Sequence, residues 1–268
     1  MKSRIVALCV VAVLATSGIA QADFFNGFET DTTGWNAGVT RVASGTNGIT
    51  SASGSYHAEL SGTDYTYWGG YNFGAGNAVP TAFQEYTTAI DIFLDVDAGW
   101  SNDTRFDFSS AINNAGGTHN RDFIFNAGFY NDATGPGAGT DRFVISASNN
   151  SQPGSAFAKN PDKAPVAIDT SGWYTFEHHF YDNGGVLAVD MNIYDASQAP
   201  VNSWTLSSAA DLIAGIGGNR YGWFDCNQFG ALAIDNSALS VVPVPGAVLL
   251  GGLGLSLASW RLRRRHVR

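Results

Sequence analysis

The amino-acid sequence predicts an all-β protein built as a β-sandwich. Glycine, serine, asparagine and threonine interrupt the chain roughly every 8 to 12 residues, a spacing that is typical of sandwiches and barrels. Between these interruptions lie short segments rich in Phe, Tyr, Ile and Val. No long segment of the body repeats its apolar residues with a helical period, and there is no internal repeat. A single β domain is therefore expected between the two chain ends.

Residues 89–97 provide the clearest strand. Apolar side chains alternate there with three aspartates and one phenylalanine. Successive side chains of a strand point to opposite faces, so this alternation predicts a half-buried strand. The predicted buried face holds Ile90, Ile92, Leu94 and Val96, and the opposite face holds Asp91, Phe93, Asp95 and Asp97.

A tight hairpin is predicted at Asp182-Asn183-Gly184-Gly185, which separates the strand-like segments 173–181 and 186–194. Asparagine followed by glycine supplies the positive φ angles of a two-residue turn. In the first of these segments His178 would join Tyr174, Phe176 and Phe180 on the apolar side, as a buried histidine with its hydrogen bonds satisfied.

The N-terminus has the organisation of an export signal. Lys2 and Arg4 precede an apolar run from Ile5 to Ala15, and small residues follow up to Ala22. This order predicts a cleavable signal peptide over residues 1–22, with the mature protein beginning at Asp23. A transmembrane helix is the alternative, but about eleven apolar residues fall short of the ~20 that a bilayer requires.

The C-terminus, residues 242–268, has a different order of parts. A proline motif is followed by an apolar, glycine-rich stretch that ends at Trp260, and then by a basic cluster. At ~1.5 Å per residue, positions 244–260 would make a helix of ~25 Å, enough to cross a thin bilayer. Arginines after such a span act as a stop and leave the body outside. The proline motif is Pro243-Val244-Pro245, and the cluster contains Arg261, Arg263, Arg264 and Arg265.

These three parts resemble the PEP-CTERM sorting signal of Gram-negative bacteria that make exopolysaccharide. The resemblance covers about the last 27 residues. It implies an inner-membrane intermediate, recognition by an exosortase-type protease, cleavage near the proline motif, and release to the cell surface or extracellular matrix. Val244 stands where the family usually has a glutamate, which leaves the position of the cut open. A permanent single-span anchor without processing is the alternative.

The body between the two ends, residues 23–241, is strongly acidic. It contains seven basic and 23 acidic residues, a formal charge of −16, against −9 for the whole chain. Such a balance repels the phosphate backbone of nucleic acids, which we exclude as partners. The negative charge is compatible with calcium binding, or it serves solubility alone.

Several short motifs of the body resemble known sandwich proteins. Residues 172–177 and the hairpin after them look like the central strands of concanavalin A-like lectin and laminin-G domains. Residues 26–29 with Gly34-Trp35, residues 54–60 and residues 232–239 resemble carbohydrate-binding jelly rolls. The resemblance implies a jelly-roll or concanavalin A-like β-sandwich, flanked by an N-terminal signal helix and a single C-terminal hydrophobic helix.

The resembled modules hold a structural calcium ion where the first and last strands meet. Glu29 lies near the first predicted strand and Asp235 near the last, and Asp31 is close to Glu29 in the chain. Calcium takes six to eight oxygen ligands, so these three residues are a feasible partial set. Ordinary strand-end acids in water are the alternative.

A cluster of aromatic residues provides a candidate carbohydrate-binding platform. Flat exposed rings next to flexible glycine-rich loops are suited to stacking on sugar faces, although aromatic residues also commonly fill sandwich cores. The candidate residues are Tyr65, Tyr67, Trp68 and Tyr71.

Catalytic patterns are weak. Asp91, Asp95 and Asp97 share a predicted strand face, and residues i and i+2 lie ~6.6 Å apart along a strand, close to the carboxylate separations of glycosidases. The resembled sandwich fold also occurs in glucanases, which instead present a tight glutamate cluster on one strand that is absent here. We therefore expect a non-enzymatic surface or matrix protein that binds polysaccharide. A structural or adhesive protein without a sugar site is the alternative, and a glycoside hydrolase ranks third.

Overall fold

A computed structural model describes residues 22–62, 66–68, 83–114, 116, 118–149, 158–226 and 228–242. Within these residues the chain forms fourteen β-strands, and its helical elements are three short 3₁₀ turns. The all-β prediction is therefore confirmed. The strands are β1 (Ala22–Asn26), β2 (Val39–Ala43), β3 (Tyr56–Leu60), β4 (Thr66–Trp68), β5 (Tyr86–Leu94), β6 (Thr104–Asn114), β7 (His119–Tyr130), β8 (Arg142–Asn149), β9 (Val166–Ile168), β10 (Gly172–Asn183), β11 (Val186–Asp195), β12 (Pro200–Leu212), β13 (Ile216–Asp225) and β14 (Leu232–Val241).

The larger of two sheets has eight antiparallel strands. Seven follow the order β12-β11-β10-β5-β14-β3-β2, and β1 pairs with β14. One edge of β14 pairs with β5. The other edge pairs with β3 at Leu232, Ala233 and Ile234, and with β1 further along. The first and last strands of the body are thus neighbours.

The second sheet contains six antiparallel strands in the order β4-β13-β6-β7-β8-β9. Its apolar side faces the larger sheet, and aromatic rings from both sheets meet in the core. Phe125 of β7 contacts Phe176 of β10 edge to face, with 5.1 Å between ring centroids. Full burial of each such ring contributes ~1.5–3 kcal/mol to stability, so this layer holds the two sheets together.

Strand β5 confirms the alternation predicted for residues 89–97. Ile90, Ile92 and Leu94 have no exposed surface, whereas Asp91 and Phe93 on the other face are partly exposed. Val96 is also buried, although it lies beyond the end of the strand. Each polar residue of this face therefore stands on the outer surface of the larger sheet.

The hairpin between β10 and β11 has the predicted position, with a small difference in the turn. Asn183 pairs with Val186, so the two central residues are Gly184 and Gly185, with φ of 68° and 95°. Glycine adopts this left-handed region without strain, so the two glycines take both central positions of the turn. The Asp182 carboxylate accepts a 2.6 Å hydrogen bond from the Gly185 N–H and closes the turn.

His178 is buried in the core, as its position in the alternation predicts. Its ring packs against Phe108 and Phe125, and its Nε2 lies 3.0 Å from the carbonyl oxygen of Phe123. Burial lowers the pKa of His178 to about 3. The imidazole is therefore neutral and structural at physiological pH.

Among the described residues, no helix has the length and apolar character needed to cross a membrane. The predicted signal peptide and the predicted C-terminal tail lie outside the described residues, apart from Ala22 and Val242.

Candidate functional site

The candidate site is a cleft on the outer face of the larger sheet, where β5 and β10 run side by side. Trp173 is the cross-strand partner of Phe93, and Thr175 is the partner of Asp91. These four residues alternate with core residues, so their side chains stand on the same outward face. The Thr175 hydroxyl donates a 2.6 Å hydrogen bond to the Asp91 carboxylate. The two strands thus present a carboxylate, a hydroxyl and two rings together.

A bulge in β14 adds an amide group to this face. Asp235 pairs with Asp91, but Ala238 pairs with Ala89, so β14 contains one extra residue opposite β5. Asn236 occupies the bulge with φ of 47°, a conformation that asparagine tolerates better than most residues. Its side-chain amide donates a 2.8 Å hydrogen bond to Asp91. The bulge therefore turns Asn236 towards the carboxylate at the centre of the cleft.

The loop before β3 forms one wall of the cleft and is held at three points. The indole N–H of Trp173 donates to the Thr50 carbonyl at 2.7 Å, and Ser51 Oγ lies 3.1 Å from His57 Nδ1. At the other end of the loop the Ser53 N–H donates to Asp235 at 3.1 Å. These contacts preorganise the wall and fix the orientation of the Trp173 ring.

The opposite wall comes from the turn between β11 and β12. Gln198 adopts φ of 63° in this turn, and its amide donates to Thr175 Oγ1 at 3.2 Å. The resulting cleft has a volume of about 400 Å³. The residues that line it are Thr50, Ser51, Ala52, Asp91, Trp173, Thr175, Ala196, Gln198 and Asn236.

Asp235 lies behind the cleft and supports both the loop before β3 and the bulge in β14. Its carboxylate is buried and accepts hydrogen bonds from the N–H groups of Ser53 and Asn236. Burial raises the pKa of Asp235 to about 6, with further upward contributions from the charges of Asp91 and Glu29 and opposing contributions from the two N–H donors. Asp235 therefore joins the loop to the bulge and does not line the cleft.

The residues of the calcium hypothesis are brought together only in part. Glu29 accepts hydrogen bonds from the N–H groups of Ser55 and Tyr56 at 2.9 and 3.0 Å, so it and Asp235 hold the same loop. Asp31 is exposed and its carboxylate caps a local turn at Thr33. Within the described part of the chain, no three His, Cys, Asp or Glu side chains form a group that could hold a metal. A calcium ion at Glu29, Asp31 and Asp235 stays a prediction.

Trp68, one of the residues proposed for the aromatic platform, does not lie on the surface. Its ring is fully buried and packs against Phe24 and Trp35, with centroid distances of 5.5 and 5.9 Å. A ring in this position has no face free for a sugar, so Trp68 is a core residue, which was the alternative for this cluster. In β4 the backbone of Tyr67 pairs with that of Trp223 in β13, and Tyr65 and Tyr71 lie outside the described residues.

The three aspartates considered for glycosidase chemistry are separated. Asp91 lines the cleft, whereas Asp95 and Asp97 lie near the Ser171 hydroxyl at 3.4 and 2.9 Å. Hydrolysis of a glycosidic bond uses two carboxyl groups that flank one bond. Asp91 has Thr175, Asn236 and Gln198 around it, an arrangement that suits hydrogen bonding to alcohols.

Trp173, Thr175, Gln198 and Asn236 were not identified as site residues from the sequence. The alternation that placed Tyr174 and Phe176 in the core also predicts that Trp173 and Thr175 face outwards, because neighbouring residues of a strand point to opposite faces. Gln198 and Asn236 act through a turn and a bulge, and neither has a sequence pattern that indicates its position in the cleft.

No protein-family model and no curated protein matches this chain. Among solved structures, a CBM2 module from the evolved Dit protein of Lactobacillus casei BL23 phage J-1 matches with 14% identity and a TM-score of 0.42, over 83% of this chain and 97% of that chain. Peanut lectin matches with 10% identity and a TM-score of 0.38, over 82% and 98%. Winged bean acidic lectin matches with 12% identity and a TM-score of 0.40, over 81% and 97%. Likenesses this distant carry no inference about function, which has to be argued from the residues of the chain itself.

Proposed function

We propose that this chain is a non-enzymatic polysaccharide-binding protein and that the cleft around Trp173 and Asp91 is its sugar site. The observation that carries the proposal is the combination of one aromatic ring with one carboxylate, two amides and three hydroxyl-bearing side chains in a single open cleft. Sugars have an apolar face and a ring of hydroxyl groups. A site for them needs an aromatic surface beside several fixed hydrogen-bonding groups.

The polar groups of the cleft can both accept and donate hydrogen bonds. Each oxygen of Asp91 receives one hydrogen bond from the protein, from Thr175 or from Asn236, and keeps accepting capacity for a sugar hydroxyl. The amide groups of Asn236 and Gln198 offer both donors and acceptors. Because these side chains already hold one another, little ordering is required when a ligand binds.

Trp173 provides the stacking surface in this proposal. The ring is only partly buried, and Phe93 and His57 contact it edge to face at 5.4 and 6.0 Å. With its N–H bonded to Thr50, the indole has few accessible orientations. A rigid ring contributes contact area to a ligand at a low cost in conformational entropy.

Strands β1 and β14 place the beginning and the end of the described body at the same edge of the larger sheet. Val241 at the end of β14 pairs with Tyr86, and Ala22 pairs with Ser240, so both ends leave the sheet on the same side. Asp91 lies five residues further along β5, at ~17 Å from Tyr86 by strand geometry. A body tethered through the predicted tail would hold the cleft away from its anchor.

Export, and sorting by an exosortase-type protease through Pro243-Val244-Pro245 and the arginine cluster, form part of the proposal. Replacing Arg261, Arg263, Arg264 and Arg265 by alanine is expected to impair sorting, because it weakens the stop after the apolar span. Cell fractionation and the size of the processed protein measure the effect. Unchanged distribution and size would contradict the sorting proposal.

Calcium at Glu29 and Asp235 also remains a proposal. An ion bound by the folded state alone raises the melting temperature by mass action. Excess calcium should therefore stabilise the native chain and have no effect on Glu29→Gln. Identical melting curves in calcium and in chelator would exclude the site.

The sugar site is tested by affinity electrophoresis of the full-length chain in gels that contain a panel of polysaccharides. Asp91→Ala and Trp173→Ala should each lose retention on the polysaccharide that slows the native protein. Asp190→Ala is the matched control, because Asp190 carries a carboxylate on the same sheet and does not line the cleft. If both cleft variants were retained like the native protein, the site would be elsewhere. If no glycan retained the native chain, the structural or adhesive role would be favoured.

A further inference from the structure

A second hollow adjoins the cleft where the outer face of the larger sheet meets the end of the sandwich, and Phe143 of the second sheet also lines it. Its volume is about 210 Å³. Ile49 and Ala98 contribute to its walls, Phe93 and Ala233 belong to the sheet, and Trp100 and Phe229 approach from the end of the sandwich. Trp100 and Phe229 contact each other edge to face at 4.8 Å. Most of the lining is apolar, in contrast to the cleft.

The cleft and the second hollow share a wall. Phe93 lines the second hollow and Trp173 lines the cleft, and the two residues are cross-strand partners with ring centroids 5.4 Å apart. On the loop above them, Ile49 belongs to the hollow and the next residue, Thr50, to the cleft. A ligand with one unit on Trp173 therefore has its neighbouring unit next to the hollow.

Both depressions carry negative charge. Asp91 lines the cleft, and Glu59 and Asp95 line the hollow, while the residues that line either one include no lysine or arginine. Two basic side chains close in sequence to the lining are engaged elsewhere: Arg41 donates to the carbonyls of Phe28 and Glu29, and Arg105 pairs with Asp103. An anionic sugar would meet like charge here, with screening reduced in a partly enclosed site.

We infer that the ligand is an uncharged glycan in which the unit beside the one on Trp173 carries a small apolar group that occupies the hollow. The methyl group of a 6-deoxy sugar and the methyl of an O-acetyl group have the same chemistry in this respect. The inference rests on the proposed function and defines its ligand class. An apolar pocket favours such a substituent because it removes the methyl surface from water.

A glycan array probed with the full-length chain is the first test. The array should contain each neutral backbone in unsubstituted, 6-deoxy and O-acetylated forms, together with uronate-containing chains. Binding to neutral glycans that carry a methyl or acetyl group is the expected result, and comparison of the two forms identifies the source of the methyl. Preferential binding of uronates, or equal binding of substituted and unsubstituted chains, would overturn the inference and leave the proposed function standing. No binding to any glycan would contradict the proposed function itself.

Filling the hollow is the second test. Ala233→Leu should weaken binding of the preferred substituted glycan by about tenfold or more, the range found for one methylene in an apolar pocket, and should leave the unsubstituted glycan unaffected. Ala98→Leu makes the same change at an exposed position of the lining, so it provides an answer even if Ala233→Leu folds poorly. Ala209→Leu, exposed on β12 and outside both hollows, is the control. Equal losses on both glycans, or none on either, would refute the role of the hollow.

Discussion

Trp68 and Trp173 show how differently two tryptophans of one sandwich can be used. Trp68 lies in the short strand β4, and its ring is enclosed by Phe24, Trp35 and Gly222. Trp173 is the second residue of the long strand β10, stands on the outer face and donates its indole N–H to a loop carbonyl. The density of aromatic residues around Trp68 suggested a binding surface, yet it is Trp173 that lines the cleft. The strand face on which a tryptophan lies therefore decides its role, and the number of aromatic residues near it in the sequence does not.

The variant Trp68→Ala tests most directly whether Trp68 is a core residue. Removing a fully buried indole is expected to cost ~3–5 kcal/mol of unfolding free energy, because the transfer free energy is lost and a cavity remains. Chemical denaturation followed by fluorescence or circular dichroism measures it. A cost below about 1 kcal/mol would mean that the Trp68 ring is exposed, and the platform hypothesis would return.

Gly222→Ala tests the same enclosure from the opposite side. A Cβ atom at Gly222 would lie 2.5 Å from Cε2 of Trp68, so either the ring or strand β13 has to move. Overpacking of this kind costs ~1–3 kcal/mol. Gly230→Ala is the matched control, since a Cβ there meets no atom within 4 Å. Equal stability of the two variants would show that the contact is not tight.

Trp173→Ala should reduce stability only slightly and should abolish polysaccharide binding. The variant loses one hydrogen bond and the contacts of a partly exposed ring, so the unfolding free energy is expected to fall by about 1–2 kcal/mol, while retention on the bound polysaccharide is lost. Trp173→Phe sharpens the test because it keeps a smaller stacking surface and removes the hydrogen bond to Thr50. We expect it to retain part of the binding. Full binding by Trp173→Ala would remove this residue from the site.

The smallest expected effect concerns the pH dependence contributed by Asp235. Its pKa is raised to about 6 in the folded protein, so the folded state holds the proton more tightly than the unfolded chain. The contribution to stability is therefore complete below about pH 4 and is lost as the pH rises towards 6 and above. The melting temperature of the native chain relative to Asp235→Asn should fall over this interval. A difference that is constant from pH 4 to 7 would contradict the raised pKa.

Much of the fold could be predicted because it depends on local patterns. The alternation around Ile90 and Ile92 identified both faces of β5, and the glycines after Asn183 located the hairpin. The buried position of His178 followed from the same periodicity. These features require only that each strand hide its apolar side and that each turn adopt a permitted backbone conformation. The cleft was missed because Thr50, Gln198 and Asn236 come from distant parts of the chain.

The sequence by itself determined the strand character of the body, its acidic charge and the outward position of Asp91. The tertiary structure decided which polar residues meet: the strand order places Thr175 and Asp235 on either side of Asp91, and one extra residue in β14 turns Asn236 towards it. It also decided that Trp68 is enclosed and Trp173 accessible. The physical reason is that alternation defines two faces for each strand, whereas pairing between strands far apart in the chain decides what each face meets.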